Sequence, residues 1–162
     1  MAHARARRGL IAAMARGCVR ACRGGSAAAA VEGAAIVCTA TSSTAPVFPG
    51  AALAPEVHVN CVGSFHPDMR ELDLDTLRDA AIVVDRREAA LEEAGELLAA
   101  VDAGLTQPQA WRELGELVLA GAPPRPASKT VFDSVGLAAQ DLFAARRALE
   151  RARVLSLGLP LT

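Results

Sequence analysis

The chain contains 162 residues, 52% of them hydrophobic, and its formal net charge is −1 at pH 7. A chain of this length and composition can bury most of its apolar surface as one domain. The near-neutral net charge gives no support for nucleic acid or another polyanion as a partner.

Charge is nevertheless distributed unevenly. Residues 1–31 contain six arginines and no acidic residue, a pattern found in transit peptides and in nucleic-acid-binding arms. Because Lys129 is the single lysine among seventeen basic residues and alanine is abundant, a GC-rich genome explains the arginines more simply. The apolar run 10–15 is too short for a secretory signal or a membrane span. We therefore expect a soluble, cytoplasmic protein that binds neither nucleic acid nor a membrane.

Hydrophobic periodicity and turn residues predict helices that alternate with strands. Helices are predicted over residues 4–15, 27–32, 73–80, 88–98, 109–120 and 137–153, and strands over 19–22, 35–39, 57–62, 82–85 and 130–132. Alternation at these lengths favours an α/β fold with a parallel sheet. Trp111, in the fifth predicted helix, is assigned to the hydrophobic core.

Three of the predicted strands run directly into loops rich in Gly, Ser and Thr. Strand 35–39 continues into A-T-S-S-T, strand 57–62 into G-S-F-H-P-D-M-R-E-L, and strand 130–132 into D-S-V-G. Because the carboxyl ends of parallel strands meet at one edge of a sheet, we expect these loops to form one binding crevice.

Charged residues of the second loop have a simpler interpretation than catalysis. We interpret the acids as solvated residues or helix caps; they are Asp68, Glu71, Asp73 and Asp75. Arg70 is interpreted as an ion-pair partner of Glu71 or of the following helix.

Four cysteines, at positions 18, 22, 38 and 61, have no C-x-x-C spacing and no histidine at a ligand interval. Neither a metal site nor a disulfide framework is predicted from them. Cys38 and Cys61 fall within predicted strands and are expected to be buried as small apolar side chains.

Five ordered blocks resemble the ornithine cyclodeaminase and mu-crystallin family. They are T-A-T-S-S-T (39–44), V-N-C-V-G-S-F-H-P-D-M-R-E-L (59–72), V-V-D-R-R-E-A-A-L-E-E-A-G-E (83–96), E-L-G-E-L (113–117) and T-V-F-D-S-V-G-L-A-A-Q-D (130–141). The resemblance covers approximately residues 26–152 and corresponds to the C-terminal half of the family's members. Those members are NAD(P)-dependent cyclodeaminases, ketimine or pyrroline-carboxylate reductases, and alanine dehydrogenases.

The resemblance implies a partial Rossmann-type parallel sheet that lacks its first two strands and is followed by a C-terminal return helix. Residues 1–133 would form a partial NAD(P)-binding domain in which 1–25 match poorly. Residues 134–162 would return toward a substrate-binding and dimerisation domain. The implied cofactor is NAD or NADP, the implied ligand a small imino or amino acid, and full-length members are expected to form homodimers.

The resemblance also implies a set of cofactor-binding residues at the strand ends. They are Thr39, Ala40, Thr41, Val59, Asn60, Cys61, Val62, Gly63 and Ser134. Gly63 would permit close approach of the nicotinamide. Ser134 has two possible roles: it contacts the cofactor near the nicotinamide, or it is only the N-cap of the following helix.

Phe65 separates the activities found within the family. In ornithine cyclodeaminases this position is an aspartate in a G-G-D-C-P-G-K-T-E-L block, and a phenyl ring cannot accept a proton. The form H-P-D-M-R-E-L resembles the ketimine reductase branch, where hydride passes from NAD(P)H to the carbon of a C=N bond beside a carboxylate. Ornithine cyclodeaminase, which converts ornithine to proline and ammonia, is the alternative within the family. Candidate catalytic residues are Arg70, His66 and Glu93.

A glycine-rich pyrophosphate loop, G-x-G-x-x-G, does not occur in this sequence. The family's arginine and lysine for the substrate carboxylate also belong to the half that is not matched. We therefore expect a truncated member of the family, for which cofactor binding by the chain alone is doubtful. The alternative is a non-catalytic remnant that serves as a ligand-binding or assembly module.

Overall fold

The computed structural model describes residues 25–121 and 128–159. The predicted helix over 4–15 and the predicted strand over 19–22 lie outside these ranges. The helices are α1 (Ala27–Val31), α2 (Leu74–Leu77), α3 (Arg87–Glu93), α4 (Gly95–Asp102), α5 (Leu114–Ala120) and α6 (Ala138–Val154), and the strands are β1 (Ile36–Thr39), β2 (Val57–Cys61), β3 (Ala81–Val84), β4 (Arg112–Glu113) and β5 (Lys129–Asp133).

All five strands belong to one parallel sheet with the order β1-β2-β5-β3-β4. The last strand in sequence, β5, therefore lies at the centre and pairs with both β2 and β3. This arrangement confirms the predicted α/β fold with a parallel sheet. β1 has one hydrogen-bonded neighbour among the described strands and forms an edge.

The hydrophobic core lies on one face of the sheet. Alternate side chains of a strand point to opposite faces, and those of Val57, Val59 and Val131 are fully buried. Leu97 of α4 and Trp111 complete the same cluster, so the core assignment of Trp111 is confirmed. Burying a side chain of this kind contributes about 1.5–3 kcal/mol.

The opposite face of the sheet is more open. Ile36 is 65% exposed and Cys38 is also exposed. The expectation that Cys38 is buried was therefore wrong. Only one face of β1 is buried, and the side chain of Cys38 is on the other face. His58 of the neighbouring strand is half-buried and pairs with Thr130 through Nδ1 and Oγ1 (2.8 Å).

One long helix was predicted over residues 88–98, but the structure has two, α3 and α4, which meet at Ala94. Gly95 begins the second helix, where a Cβ atom would overlap the carbonyl oxygens of Pro67 and Met69. The loop after β2 thus packs against the backbone at this junction. The break follows from a tertiary contact that the helical pattern does not reveal.

The predicted helix over 109–120 is also shorter than expected, because its first part is extended. Pro108–Ala110 form a 3-10 turn, and β4 adds a fifth strand before α5 begins. The Arg87 guanidinium donates hydrogen bonds to the carbonyl oxygens of Pro108 (2.9 Å) and Trp111 (2.8 Å). These bonds hold the segment that leads into β4 beside β3 in an extended conformation. Helical periodicity in the sequence cannot predict this conformation.

The C-terminal helix α6 confirms the predicted helix over 137–153 within one residue at each end. None of its side chains is buried, and its exposed apolar residues include Leu142, Phe143 and Leu149. An Arg146–Glu150 ion pair (3.1 Å) spans one turn of its surface. No helix in the described ranges is both long enough and apolar enough to cross a membrane.

Candidate cofactor site

Three adjacent strands end together at one edge of the sheet. In the parallel register Thr39 is opposite Cys61, and Cys61 is opposite Asp133. The loops that follow β1, β2 and β5 therefore leave the sheet side by side. In an open parallel sheet, ligands bind at this edge. The structure thus brings together the three polar loops that the sequence placed in one crevice.

Glu71 joins two of these loops. Its carboxylate accepts hydrogen bonds from the Thr39 hydroxyl (2.8 Å), the backbone N–H of Thr41 (2.5 Å) and the backbone N–H of Gly63 (2.9 Å). Burial alone would raise the pKa of Glu71, but the hydrogen bonds from Thr41, Thr39 and Gly63 outweigh it and lower the pKa. Glu71 is therefore an ionised, fully buried group. Its interpretation as a solvated loop acid was wrong.

Gly63 is needed because of this arrangement. A Cβ atom on Gly63 would overlap the backbone N and O atoms of Thr41 and would lie 2.7 Å from Glu71 Oε1. Because Gly63 has no side chain, the neighbouring loop can pack closely against its backbone. Contact of Gly63 with a nicotinamide stays a prediction.

Arg70 does not pair with Glu71. Its backbone N–H donates to the carbonyl of Ser43 (2.8 Å), and the Glu71 carbonyl accepts from Val47 N–H (2.9 Å). The Arg70 Nε atom is buried and has no hydrogen-bond partner among the described residues. The predicted ion pair with Glu71 was therefore wrong, since backbone and hydroxyl donors already occupy the Glu71 carboxylate. The alternative pair with the following helix was also wrong, because no ion pair between described residues involves Arg70.

The loop after β5 is fixed by Asp85, which stands at the end of β3. The Asp85 carboxylate accepts from the Ser134 hydroxyl (2.6 Å), from Gly136 N–H (3.0 Å) and from the Gln140 side-chain amide (2.7 Å). The Ser134 backbone N–H donates to the Cys61 carbonyl (2.9 Å). Ser134 is not the N-cap of α6, which is Leu137. Asp85 was not among the predicted site residues, although it follows directly from a buried apolar strand.

The remaining predicted cofactor residues differ in accessibility. Ala40, Thr41 and Val62 are exposed, and Asn60 is half-buried. Val59 and Cys61 are completely buried, so their side chains face the core. A ligand at the sheet edge can therefore meet the loop backbones and the exposed side chains but not these two.

The candidate catalytic residues lie on the loop after β2 and beside it. The His66 side chain is 62% exposed, and its Nδ1 lies 3.6 Å from Asp68 Oδ2. A backbone bridge joins His66 to Ala94, which brings this loop next to Glu93 at the end of α3. Phe65 is 60% exposed beside them. The three candidates are thus near the same loop, and their catalytic roles stay predictions.

A buried acidic cluster lies behind the site, beneath the ends of β2 and β5. The Cys61 thiol donates to Glu96 Oε1 (2.7 Å), and one potential ligand atom from each of Cys61, Glu96 and Asp133 lies within 4.8 Å of the others. Burial, followed by the charges of Asp133 and Glu96, raises the pKa of the Cys61 thiol. Burial and the neighbouring Glu96 likewise raise the pKa of Asp133 well above its usual value. No pattern in the sequence indicates this cluster, because its members are far apart along the chain.

Residues 4–155 match the model of the ornithine cyclodeaminase/mu-crystallin family. The chain belongs to this family. The match begins earlier than the resemblance over 26–152 that the sequence blocks indicated. It therefore includes most of the N-terminal segment that the blocks did not cover.

Curated relatives that the chain matches include two kinds of reductase. The chain is 40% identical over 131 residues to the ketimine reductase mu-crystallin of Mus musculus, covering 81% of the chain and 39% of the relative. It is also 40% identical over 131 residues to a Δ1-pyrroline-2-carboxylate reductase of Bacillus cereus, covering 78% of the chain and 40% of the relative. The chain thus spans about two-fifths of the length of the relatives it matches.

Solved structures show the same fold with a nucleotide bound. The Δ1-pyrroline-2-carboxylate reductase of Thermococcus litoralis, in complex with NADH and L-proline, superimposes with a TM-score of 0.73 at 33% identity, covering 84% of this chain and 43% of that one. An archaeal alanine dehydrogenase dimer with bound NAD gives a TM-score of 0.76 at 28% identity, covering 96% and 48%. These comparisons confirm the predicted family, the Rossmann-type fold and the use of NAD(P) by the family.

Proposed function

We propose that this chain supplies the C-terminal part of the dinucleotide site in an NAD(P)H-dependent reductase of cyclic ketimines. The substrate class is a ring with a C=N bond next to a carboxylate. The observation that carries the proposal is the fixed edge formed by the ends of β1 and β2, where the buried Glu71 holds Thr39, Thr41 and Gly63. The similarity to ketimine and pyrroline-2-carboxylate reductases supports the choice of reaction.

In this proposal the strand-end loops form one wall of the cofactor site. Residues 39–41 and 60–63 present backbone groups to the dinucleotide, and Thr41 also presents its exposed hydroxyl. The Ser134 hydroxyl already donates its proton to Asp85 at 2.6 Å. Its lone pairs are therefore oriented to accept a hydrogen bond, and the carboxamide N–H of a nicotinamide is a suitable donor.

The chemistry requires little more than alignment from the protein. Hydride leaves the reduced nicotinamide and forms a C–H bond at the imine carbon, the C=N π electrons move to nitrogen, and a proton is added there. His66, Arg70 and Glu93 are the candidate groups near this loop for handling that proton. Phe65 offers no acid or base, which favours imine reduction over ornithine deamination.

Two other functions stay open to test. The first is ornithine cyclodeaminase, because a solved structure described as a probable ornithine cyclodeaminase from Bordetella pertussis is 37% identical to the chain, with a TM-score of 0.68. A non-catalytic binding or assembly module is favoured by the exposed apolar residues of α6, including Leu142 and Phe143.

The test is a chimera that joins this chain to the N-terminal part of the Thermococcus litoralis reductase, with that intact enzyme as the positive control. We expect NADH oxidation on Δ1-pyrroline-2-carboxylate and no ammonia release from ornithine. Ammonia release by the Phe65→Asp chimera alone would support the role given to this position. Ammonia release from ornithine by the unmodified chimera would reject the reductase assignment. A folded chimera without either activity would favour the assembly module.

The proposed nicotinamide wall is tested in the same chimera. Ser134→Ala should raise KM for NADH. Gly63→Val should abolish reduction because its side chain displaces the Thr41 loop, so the contact with the nicotinamide is judged from Ser134. Ser128→Ala provides the matched control, because Ser128 is exposed and precedes the opposite end of the same strand. Equal kinetics for Ser134→Ala and Ser128→Ala would remove Ser134 from the site.

A further inference from the structure

We propose that Cys61, Glu96 and Asp133 form a buried binding site for a divalent zinc ion. The three residues come from the end of β2, the first turn of α4 and the end of β5. One potential ligand atom from each lies within 4.8 Å of the others. Cysteine sulfur and carboxylate oxygen are both common zinc ligands. The proposal is independent of the reductase activity.

Unpartnered oxygen atoms are the main observation. Glu96 is 0% exposed and Asp133 is 1% exposed. Glu96 Oε2 and both carboxylate oxygens of Asp133 are buried without a hydrogen-bond partner among the described residues. Burial of the two carboxyl groups is costly unless they share a proton with each other or bind a cation, and a coordinated cation removes that cost.

The charge around the cluster also favours a cation. Glu71 Oε2 lies 3.5 Å from the Cys61 sulfur and adds a further negative charge. No ion pair between described residues involves Glu96 or Asp133. The cluster therefore concentrates acidic groups without a basic side chain in contact.

Only modest side-chain adjustment separates the present geometry from a zinc site. With Zn–S near 2.3 Å and Zn–O near 2.1 Å, a tetrahedral site separates its sulfur and oxygen ligands by about 3.6 Å. Cys61 Sγ and Glu96 Oε1 are now 2.7 Å apart and must move away from each other. Rotation about the side-chain bonds of Glu96 would provide this movement.

Binding would displace protons from the cluster. The Cys61 thiol loses its proton to become a thiolate ligand, and any proton held between Glu96 and Asp133 is also released to solvent. Three protein ligands leave the fourth position of a tetrahedral ion to water, and because all three side chains are buried this position would be closed to a substrate. The site would therefore be structural and would connect α4 to the two strands that carry the cofactor loops.

The test uses the full chain after removal of metals with a chelator. Titration with Co²⁺, a spectroscopic substitute for zinc, should give one equivalent of binding, a thiolate-to-cobalt charge-transfer band and the visible bands of tetrahedral cobalt. Zinc should then displace the cobalt. Absence of saturable cobalt or zinc binding would overturn the proposal.

Cysteine variants show which cysteine binds the metal. The triple variant Cys18→Ser, Cys22→Ser and Cys38→Ser should keep the charge-transfer band, because Cys61 remains. Adding Cys61→Ala should abolish the band. A band that disappears in the triple variant, or one that survives the loss of Cys61, would place the metal elsewhere.

Asp133→Asn provides a variant that keeps the shape of the side chain. We expect cobalt affinity to fall at least tenfold while the metal-free protein unfolds at a higher temperature, because a buried carboxylate has been removed. Asp141→Asn, in the exposed first turn of α6, is the matched control. Unchanged cobalt affinity in Asp133→Asn would overturn the proposal even if the Cys61 variant does not fold.

Discussion

The Thr39 hydroxyl and the Glu71 carboxylate share a 2.8 Å hydrogen bond across 32 positions of sequence. The bond connects the last residue of an edge strand to a loop that leaves the neighbouring strand. With the N–H groups of Thr41 and Gly63 on the same carboxylate, it sets the shape of the candidate cofactor wall before any ligand binds. Preorganisation of this kind lowers the entropic cost of binding.

Glu71→Gln should destabilise the protein by about 2–3 kcal/mol, because hydrogen bonds to a charged acceptor are lost and an amide N–H₂ faces donors. The free energy of unfolding can be measured in urea through Trp111 fluorescence. Glu88→Gln is the control, since that side chain is 70% exposed and a surface change is usually worth less than about 0.5 kcal/mol. Equal effects of the two substitutions would show that Glu71 does not support the loops.

Gly63→Ala should destabilise the protein by about 1–3 kcal/mol, because the added methyl group overlaps the Thr41 backbone. Gly115→Ala is a matched control in α5, where a Cβ atom meets nothing within 4 Å. There the change should stabilise by about 0.5–1 kcal/mol, since alanine is the better helix former. Thermal unfolding of both variants checks the opposite signs. Stabilisation by Gly63→Ala would contradict the close packing of Gly63 against Thr41.

Ionisation of the Asp73 carboxyl should make the free energy of unfolding depend on pH. Burial would raise the pKa of its carboxyl, but hydrogen bonds from Gly50 and Thr76 and the nearby charge of Lys129 lower it overall. A lowered folded-state pKa stabilises the protein above the ordinary value of 3.8, and this contribution is lost as pH falls through the folded pKa.

Asp73→Asn should therefore lower the free energy of unfolding by about 1–2 kcal/mol at pH 7 and by progressively less below pH 3.8. Urea titrations of both proteins at a series of pH values measure the difference. Asp102→Asn, exposed at the end of α4, should change stability by less than about 0.5 kcal/mol. A difference that grows as the pH is lowered would mean that folding raises the pKa of Asp73 instead of lowering it.

Asp85→Asn should loosen the loop between β5 and α6. The substitution weakens the acceptor for Ser134, Gly136 and Gln140, so the Gly136 amide should exchange its hydrogen with solvent faster. Hydrogen exchange followed by mass spectrometry can resolve peptides from this loop. Amides of β2 should keep their protection. Unchanged exchange at residues 134–140 would show that Asp85 does not hold the loop.

The strands and their polar ends could be predicted because the signals are local. Runs with alternate apolar residues such as 57–62, followed by glycine, indicate a strand that is buried on one face and enters a loop, and the structure places β2 there. The C-terminal helix was equally accessible, since its pattern extends over many turns. Its bounds, Ala138–Val154, differ by one residue from the prediction.

What the sequence did not reveal depends on contacts between distant segments. Glu71 and Asp68 are both acids of the same loop, yet one is fully buried and the other exposed. Nothing local distinguishes them, because the donors that capture Glu71 come largely from the end of β1 and the loop after it. The joining of Cys61 with Glu96 and the extended course of β4 depend in the same way on the sheet order. The type of a side chain determines which chemistry is possible, and the strand order of the sheet determines which side chains come into contact.

The central place of β5 has a consequence for biosynthesis. β2 and β3 emerge from the ribosome well before residues 129–133, and in the finished sheet each of them pairs with β5. The centre of the sheet therefore cannot form before β5 has been synthesised, even when all strands up to β4 have left the ribosome. Until then, apolar strands with open edges are available to other nascent chains. Folding during translation should therefore depend on chaperones until β5 has emerged.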